Sequence, residues 1–494
     1  LRFDSILVHL RDLVAQPAAQ QAAWRAAGGL EIVGITADSR QVRHGMIFAA
    51  LPGQAQDGRR FIPDAVARGA SAVLAPRGTA VPAGAVLLED GEPRRRLAQI
   101  AAVLAGPVPG VLVAVTGTNG KTSTTDFLRQ LWTLGGHRAA CMGTLGVVTD
   151  AGTSGPGLTT PDPVVLSAAL AGLARAGVGR VALEASSHGL DQHRLDGLAL
   201  RTAAITNLTR DHLDYHGSMA AYRAAKLRLF RELVPPHGPV VASAALDDDT
   251  MAELRFIAGR RRLDLRVVGE GGGAIGLRRA VPVADGQVLE LEVGGARREV
   301  RLPLPGRFQA DNALVAAALA EVTGLADALD HLPGLVGVRG RMELAARLGN
   351  GAAVYVDYAH TPDALERLIT ALRPHTAGRL HVVFGAGGDR DPGKRPLMGA
   401  VVARLADVGI VTDDNPRTED AAAIRAAVLA GMGAMAAARA QDGRAEAIAA
   451  AMADLGPGDV LAVAGKGHEQ GQTVGRETLP FDDVAVVRGL AGFA

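Results

Sequence analysis

The residues best placed to do chemistry are Lys121 and Thr122, which close the run Gly117-Thr-Asn-Gly-Lys-Thr122. A lysine ammonium offsets phosphate charge, a threonine hydroxyl ligates Mg²⁺, and glycines let backbone N–H groups turn inward around an anion. The apolar run Val111–Val115 just before them predicts a buried strand, and a helix is expected from Ser123 to about Leu134. Strand, Gly-rich turn and helix start are the parts of a nucleoside triphosphate cradle. The spacing departs from the ordinary phosphate-loop pattern, which asks for Gly five residues before Gly120 and finds Val115. A plain Gly/Thr turn is the alternative; the flanking strand and helix favour the cradle.

A second set of polar residues follows apolar runs. Arg180–Glu184 and Thr202–Thr206 read as buried parallel strands, and ligands gather beyond the carboxyl ends of such strands. Glu184, Ser186, Ser187, His188, Asn207, Asp211 and His212 all fall there. Glu184 and His212 suit a divalent metal beside phosphates, although a helix cap and a loop histidine are the plainer readings. Lys226, in Ala221-Tyr-Arg-Ala-Ala-Lys226, reads on composition as a solvated helical lysine. Asp414-Asn-Pro-Arg417 and Arg390 follow two further strand candidates. Paired guanidinium groups there can grip a carboxylate through parallel hydrogen bonds, or can form surface ion pairs. His468 follows Gly465-Lys-Gly467 in another strand-end loop and is compatible with a structural role.

These residues need a scaffold. At 494 residues the chain exceeds one core and predicts about three domains. Lys and Arg number 52 against 51 Asp and Glu, and aromatics are 3%, which removes both the basic field and the stacking platforms of nucleic-acid binding. No run approaches the roughly 18 apolar residues of a membrane helix. The lone Cys141 lies in a small apolar stretch as a core thiol and suits a reducing compartment. With no apolar signal core near the start, a cytoplasmic enzyme without membrane insertion is expected.

The expected fold class is α/β. Residues 1–106 hold short strands at Ile32–Thr36, Met46–Ala50 and Ala70–Ala75, with loops Asp38-Ser-Arg40 and Gly53–Gly58 between them. Residues 107–338 carry the cradle, and around 263–302 short Gly-punctuated runs predict a small antiparallel insertion. Residues 339–494 form a second βα-type domain with strands at Val354–Asp357, Leu380–Gly385, Val408–Thr412 and Val460–Ala464. The Gly/Ala-rich stretch 429–440 is expected to be flexible.

Along nearly its whole length the chain resembles the Mur ligases, which build the peptide stem of bacterial cell-wall precursors. The motifs that carry the resemblance are Gly117–Thr122, Glu184-Ala-Ser-Ser-His-Gly189, Asn207-Leu-Thr-Arg-Asp-His-Leu-Asp-Tyr-His-Gly217 and Asp357-Tyr-Ala-His-Thr-Pro362. Asp414-Asn-Pro-Arg417 is similar to the signature of the member that adds meso-diaminopimelate. The resemblance implies a UDP-binding N-terminal domain, a central P-loop-type ATPase domain and a C-terminal Rossmann-like domain. It implies that Ser39, Gln54, Ala55 and Gln56 contact the UDP-sugar. Thr159, Thr160, Ser186, Gln192 and Arg194 would hold the muramoyl-dipeptide. Gly117, Thr118, Asn119, Gly120, Lys121, Thr122 and Ser123 would bind ATP, with Asn312, Arg341 and Asp357 around nucleotide. Arg390, Asp414, Asn415, Pro416, Arg417, Gly465 and Glu469 would recognise diaminopimelate. Lys226 matches the lysine that the family carbamylates, which reverses the composition-only reading; Thr122, Glu184, His212 and carbamylated Lys226 would hold Mg²⁺.

The resemblance further implies a monomer acting on UDP-N-acetylmuramoyl-L-alanyl-D-glutamate, meso-diaminopimelate and ATP. The acyl-phosphate route it suggests draws reactants from three domains, so closure is expected before chemistry. A lysine-adding relative, a folylpolyglutamate synthetase and a catalytically silent ATP-binding regulator are the rival expectations.

Overall fold

The computed structural model describes residues 8–9, 29–53, 56–155, 157–283 and 285–492. The chain is α/β, as expected, and divides into two compact units. One holds the chain up to Ala274 with Val315–Ala328, and the other holds Ile275–Leu314 with the chain from Leu329 onward.

In the first unit, β1 (Gly34–Thr36), β2 (Met46–Ala49), β3 (Ala72–Pro76) and β4 (Leu87–Asp90) form a parallel sheet in that order. The single strand expected over Ile32–Thr36 is broken at Val33. Glu31–Ile32 pairs antiparallel with Val8–His9, whereas β1 pairs with β2, so the chain changes partner in between.

The larger sheet of this unit contains β5 (Val111–Thr116), β6 (Ala139–Gly143), β7 (Gly146–Thr149), β8 (Gly152–Ser154), β9 (Arg180–Glu184), β10 (Thr202–Ile205), β11 (Pro239–Ser243) and β12 (Asp264–Gly269). Their order is β8-β7-β6-β9-β5-β10-β11-β12, parallel except for the β6–β7–β8 meander. Leu112, Val113, Ala114 and Val115 are at most 1% exposed, so β5 is apolar on both faces as a central parallel strand must be. Burying each Val or Leu contributes roughly 1.5–3 kcal/mol. From β5 the chain passes to β6 on one side and later to β10 on the other. That reversal makes the carboxyl end of β5 a topological switch point, the place where open α/β sheets bind ligands. The helix α1 (Lys121–Leu134) starts there, two residues earlier than expected.

Asp196 ties this sheet to the helix that follows β4. Its carboxylate accepts from Arg95 at 2.8 Å and from His193 at 2.9 Å, and also from Arg228. These bonds outweigh burial and hold its pKa at about 2. Its folded pKa lies below the ordinary carboxylate value. The stability it contributes is therefore present above pH ~3.8 and lost as pH falls through about 2. Asp196→Asn is expected to flatten the acid limb of a thermal-midpoint-versus-pH curve; an unchanged limb would contradict this.

In the second unit β13 (Ile275–Val283), β14 (Gly286–Val293) and β15 (Ala296–Leu302) form an antiparallel meander. The expected insertion thus begins at Ile275 rather than near 263, because β12 pairs parallel with β11. The other sheet contains β16 (Glu343–Arg347), β17 (Ala353–Asp357), β18 (Leu380–Phe384), β19 (Val408–Val411), β20 (Ala438–Ala440) and β21 (Val460–Ala464). Its order is β16-β17-β21-β18-β19-β20, parallel apart from β16. The stretch 429–440, expected to be flexible, ends in β20, paired with β19. A hairpin, β22 (Gly471–Val474) with β23 (Glu477–Pro480), follows β21.

Candidate active site

The turn between β5 and α1 is shaped by its glycines. Gly117 has φ 144° and Gly120 φ 82°, conformations that favour glycine, and a Cβ on Gly117 would stand 2.0 Å from Thr206 Oγ1. The end of β10 locks the turn from the side. Thr118 N donates to Asn207 O at 2.9 Å, Asn119 N to Asn207 Oδ1 at 3.0 Å, and Asn207 Nδ2 to Asn119 O at 3.1 Å. Thr206 Oγ1 donates to Asn119 O at 2.6 Å. Asn207 is therefore a brace for the loop, a role its position alone did not reveal. Lys121 Nζ folds back onto Gly117 O at 2.9 Å and Thr118 O at 2.8 Å. Thr122 and Ser123 are buried in the first turn of α1.

Lys226 reaches the same carbonyl. It lies in α3 (Met219–Arg228), is 1% exposed, and donates from Nζ to Gly117 O at 2.7 Å, 4.6 Å from the Tyr222 ring centre. The helix brings it in because Tyr222, four residues earlier, is buried and shares a 3.1 Å hydrogen bond with Thr118 Oγ1. The solvated lysine expected from composition is thus overturned: α3 packs this face inward. Burial, with the Lys121 charge beside it, holds the Lys226 pKa well below the usual lysine range, and Asp211 only partly opposes this. Burial and the like charge thus favour the neutral amine over the ammonium at this position beside the glycine-rich turn.

Glu184 ends β9 and is 2% exposed. Its carboxylate accepts from Thr144 N at 2.8 Å and Thr144 Oγ1 at 3.2 Å, so it is not the helix cap that a strand-end carboxylate often is. The cap of α2 (Ser187–Asp191) is Ser186, which accepts from Gly189 N at 3.0 Å. A Cβ on Gly143 would stand 2.0 Å from Glu184 Oε1. Gly143→Ala is therefore expected to displace the carboxylate and to destabilise the chain by about 1–3 kcal/mol; an unchanged thermal midpoint would refute this.

The residues assigned by resemblance to the muramoyl-dipeptide gather next to Glu184. Thr160 Oγ1 donates to Glu184 O at 2.8 Å and accepts from Ser186 N at 2.9 Å. Arg194 donates to Thr160 O at 2.5 Å and to Gln192 Oε1 at 2.8 Å, and Thr159 and Thr144 share a hydroxyl bond of 3.1 Å. His212 is half-exposed with φ 51°, and its ring lies 4.8 Å from that of His188. His188, Tyr215 and His216 form a ring cluster with it, in which burial and the neighbouring imidazoles lower the His188 pKa. Among the described residues no group of three or more His, Cys, Asp or Glu is arranged to hold a metal ion. Of the donors expected for Mg²⁺, Thr122 is a hydroxyl, Glu184 a carboxylate and His212 an imidazole, while the unmodified Lys226 side chain ends in an amine.

In the first sheet Ser39 follows β1 and is buried, in a short turn capped by Asp38, whose carboxylate accepts from Arg40 N at 3.0 Å. Gln56 lies in the loop after β2, bracketed by the Pro52–Asp57 bridge, while Gln54 and Ala55 lie outside the described residues. Both loops leave the carboxyl ends of adjacent parallel strands.

The second unit gathers its candidates around the ends of β18, β19 and β21. A Cβ on Gly387 would stand 2.9 Å from an Arg417 nitrogen and 3.8 Å from Arg390 Cγ, so the two arginines flank one backbone. Arg417 has φ 52°, donates to Gly388 O at 2.6 Å, and is bracketed by the β22–β23 hairpin through Thr473 O and Gly475 N. Asp414 and Asn415 are buried, and a Cβ on Gly465 would meet Asp414 Oδ2 at 2.6 Å. Asn415 Nδ2 donates to Glu469 Oε2 at 3.0 Å. Asp357 ends β17, where its carboxylate accepts from Met342 N at 2.7 Å and Ala359 N at 2.8 Å; burial raises its pKa despite Arg341. Arg341 stacks on Tyr358 at 4.7 Å. Asn312 is buried in the helix Arg307–Val322. His468 packs on Tyr358, ring centres 5.0 Å apart, and burial lowers its pKa to about 4. Lys466, a single lysine between two glycines, gave no signal in the sequence and is wholly buried here.

Three family models match the chain. The "Mur ligase family, catalytic domain" covers residues 31–105, the "Mur ligase middle domain" 115–320, and the "Mur ligase, glutamate ligase domain" 340–467. A protein of Caulobacter vibrioides named UDP-N-acetylmuramoyl-L-alanyl-D-glutamate–2,6-diaminopimelate ligase is 52% identical over 92% of this chain and 94% of its own. One of the same name from Rhizobium meliloti is 52% identical over 94% and 95%. A solved structure of that name superposes with a TM-score of 0.74 at 32% identity, covering 99% of each chain.

Proposed function

The chain belongs to the Mur ligase family, and from that premise we propose that it joins meso-diaminopimelate to UDP-N-acetylmuramoyl-L-alanyl-D-glutamate at the expense of ATP. The observation that carries this reading is full-length identity of about one half to two curated proteins that bear that ligase name. Three domains are proposed, at 1–106, 107–338 and 339–494. The protein would act as a monomer in the cytoplasm, where ATP and nucleotide-linked precursors are at hand.

A carboxylate is a poor electrophile. The D-glutamate γ-carboxylate attacks the γ-phosphorus of ATP, ADP leaves, and the acyl phosphate is then attacked by the amine of diaminopimelate with release of phosphate. The backbone N–H groups from Gly117 to Ser123 orient the phosphates at the start of α1, and Lys121 offsets the charge of the transferring group. Thr160, Ser186 and Arg194 form one hydrogen-bonded surface beside Glu184 on which the dipeptide carboxylate is held. Ser39 and the loop with Gln54, Ala55 and Gln56 take the uridine end. Arg390 and Arg417 hold a diaminopimelate carboxylate, and Asp414, Asn415 and Glu469 its ammonium groups. Asn312, Arg341 and Asp357 are assigned to nucleotide.

The oxygens of Thr122, Glu184 and a carbamate on Lys226 form a hard donor set that fits Mg²⁺ rather than a soft metal, with His212 as a nitrogen partner. Bound there, Mg²⁺ would screen phosphate charge. Each of these residue roles is a proposal.

The test is phosphate release with ATP, Mg²⁺ and the UDP-linked dipeptide, comparing meso-diaminopimelate with L-lysine. Release with diaminopimelate alone is expected. A lysine side chain ends in a cation and would face Arg417 without a carboxylate to pair it, so preference for lysine would remove the specificity argument. Release with neither amine would favour a silent ATP-binding protein.

A further inference from the structure

Resting on that reading of the second unit, we infer that Lys466 is a positioning residue that sets selectivity for the amino-acid substrate by orienting Asn415 and Glu469. Lysine is among the residues least often buried, yet Lys466 is 0% exposed. Its place is forced by the turn that carries it. Gly465 has φ 120° and Gly467 φ 55°, and a Cβ on Gly467 would stand 2.8 Å from Gly340 O and from Tyr358 Cα. The side chain between them points inward, under the loop after β19.

There Nζ donates to Asn415 Oδ1 at 3.0 Å and to Glu469 Oε2 at 3.2 Å. Asn415 Oδ1 also accepts from Thr473 N at 2.9 Å. With both lone pairs of that oxygen engaged, the amide has one orientation, and Nδ2 must face Glu469, to which it donates at 3.0 Å. Oε2 of Glu469 thus takes two donors, while Oε1 takes neither and the side chain remains 34% exposed. Lys466 and Asn415 together hold the Glu469 carboxylate by one oxygen and leave the other out of both bonds. A fixed acceptor discriminates between substrate ammonium groups by position; a swinging one does not.

The test uses the full chain with Lys466→Met, which matches the length and drops the donor. The KM for meso-diaminopimelate is expected to rise about ten- to hundred-fold, as for loss of a buried charged donor. The kcat at saturation is expected to stay near wild type, and preference over L-lysine to fall by the same factor as KM. Glu469→Gln and the double variant complete a cycle. If Lys466 acts through Glu469, the double variant is no worse than Glu469→Gln, whereas additive effects or an unchanged KM overturn the inference. Should Lys466→Met not fold, Lys466→Gln carries the test: a smaller but measurable rise in KM is expected, and a wild-type KM overturns the inference. The wild-type assay separates the two claims. No diaminopimelate-dependent release in wild type fails the functional reading itself. Wild-type activity with unaltered variants fails only the role of Lys466.

Discussion

Alanine in place of Lys121 should cut ATP-dependent phosphate release by about 10³-fold while leaving the chain folded. The lysine is the first residue of α1, where the helix N-terminus and the N–H groups of the turn already favour negative charge. Its own ammonium is held by Gly117 O and Thr118 O, on the inner side of the turn. A full positive charge at that turn offsets the negative charge that develops on a transferring phosphoryl group, which is why its loss is expected to be large. Alanine is the strongest helix former, and the side chain is only partly buried, so the helix survives. The variant also removes the like charge that helps depress Lys226. Its Lys226 should therefore regain a proton at higher pH than in wild type. Phosphate release within a few-fold of wild type would remove Lys121 from the chemistry.

The second large effect concerns Lys226. Burial and the neighbouring Lys121 ammonium favour the neutral amine of Lys226, and it is the amine nitrogen that attacks the carbon of carbon dioxide, forming the N–C bond of a carbamate and releasing one proton to water. Burial and a like charge disfavour the protonated amine, while the anionic carbamate gains attraction from Lys121. Scrubbing carbon dioxide and bicarbonate from the buffer is expected to lower turnover at least tenfold, and adding bicarbonate to restore it. Lys226→Met, similar in length and apolar, should lose turnover by about 10³-fold and be indifferent to bicarbonate. A wild type insensitive to carbon dioxide and showing no carbamate carbon by nuclear magnetic resonance after incubation with labelled bicarbonate would refute the modification. The pH dependence has a definite sign. In the unmodified chain the folded pKa lies below the unfolded one, so between them the unfolded state holds the extra proton. Stability therefore rises with pH across that window, and the destabilisation is complete below the folded value.

Much of the scaffold was legible because its signals are local. β5, β9 and β21 are short apolar runs bounded by Gly, Pro or polar residues, and their expected and observed bounds agree within a residue. The glycine-rich turn between β5 and α1 announced itself through residue types at adjacent positions. The misreadings arose where pairing partners decide. Val33 breaks a strand because its two sides pair with different neighbours, and β12 belongs to the parallel sheet because β11 lies beside it. Lys226 is the sharpest case, since a short helix with a lysine and two arginines reads as solvated until Tyr222 fixes which face is buried.

The sequence by itself determined the α/β class, the glycine-rich turn that places Lys121 and Thr122 at a helix start, and, through motif resemblance, the ligase family. These depend on residues close together in the chain, where backbone conformation and side-chain type are set locally. Only the tertiary structure decided that Lys121 and Lys226 share the Gly117 carbonyl, that Asn207 braces the turn, and that Lys466 lies under Asn415 and Glu469. The physical reason is that the effect of a charge depends on its distance from other charges and from water. Both are properties of packing between elements far apart in the chain, and no run of neighbouring residues encodes them.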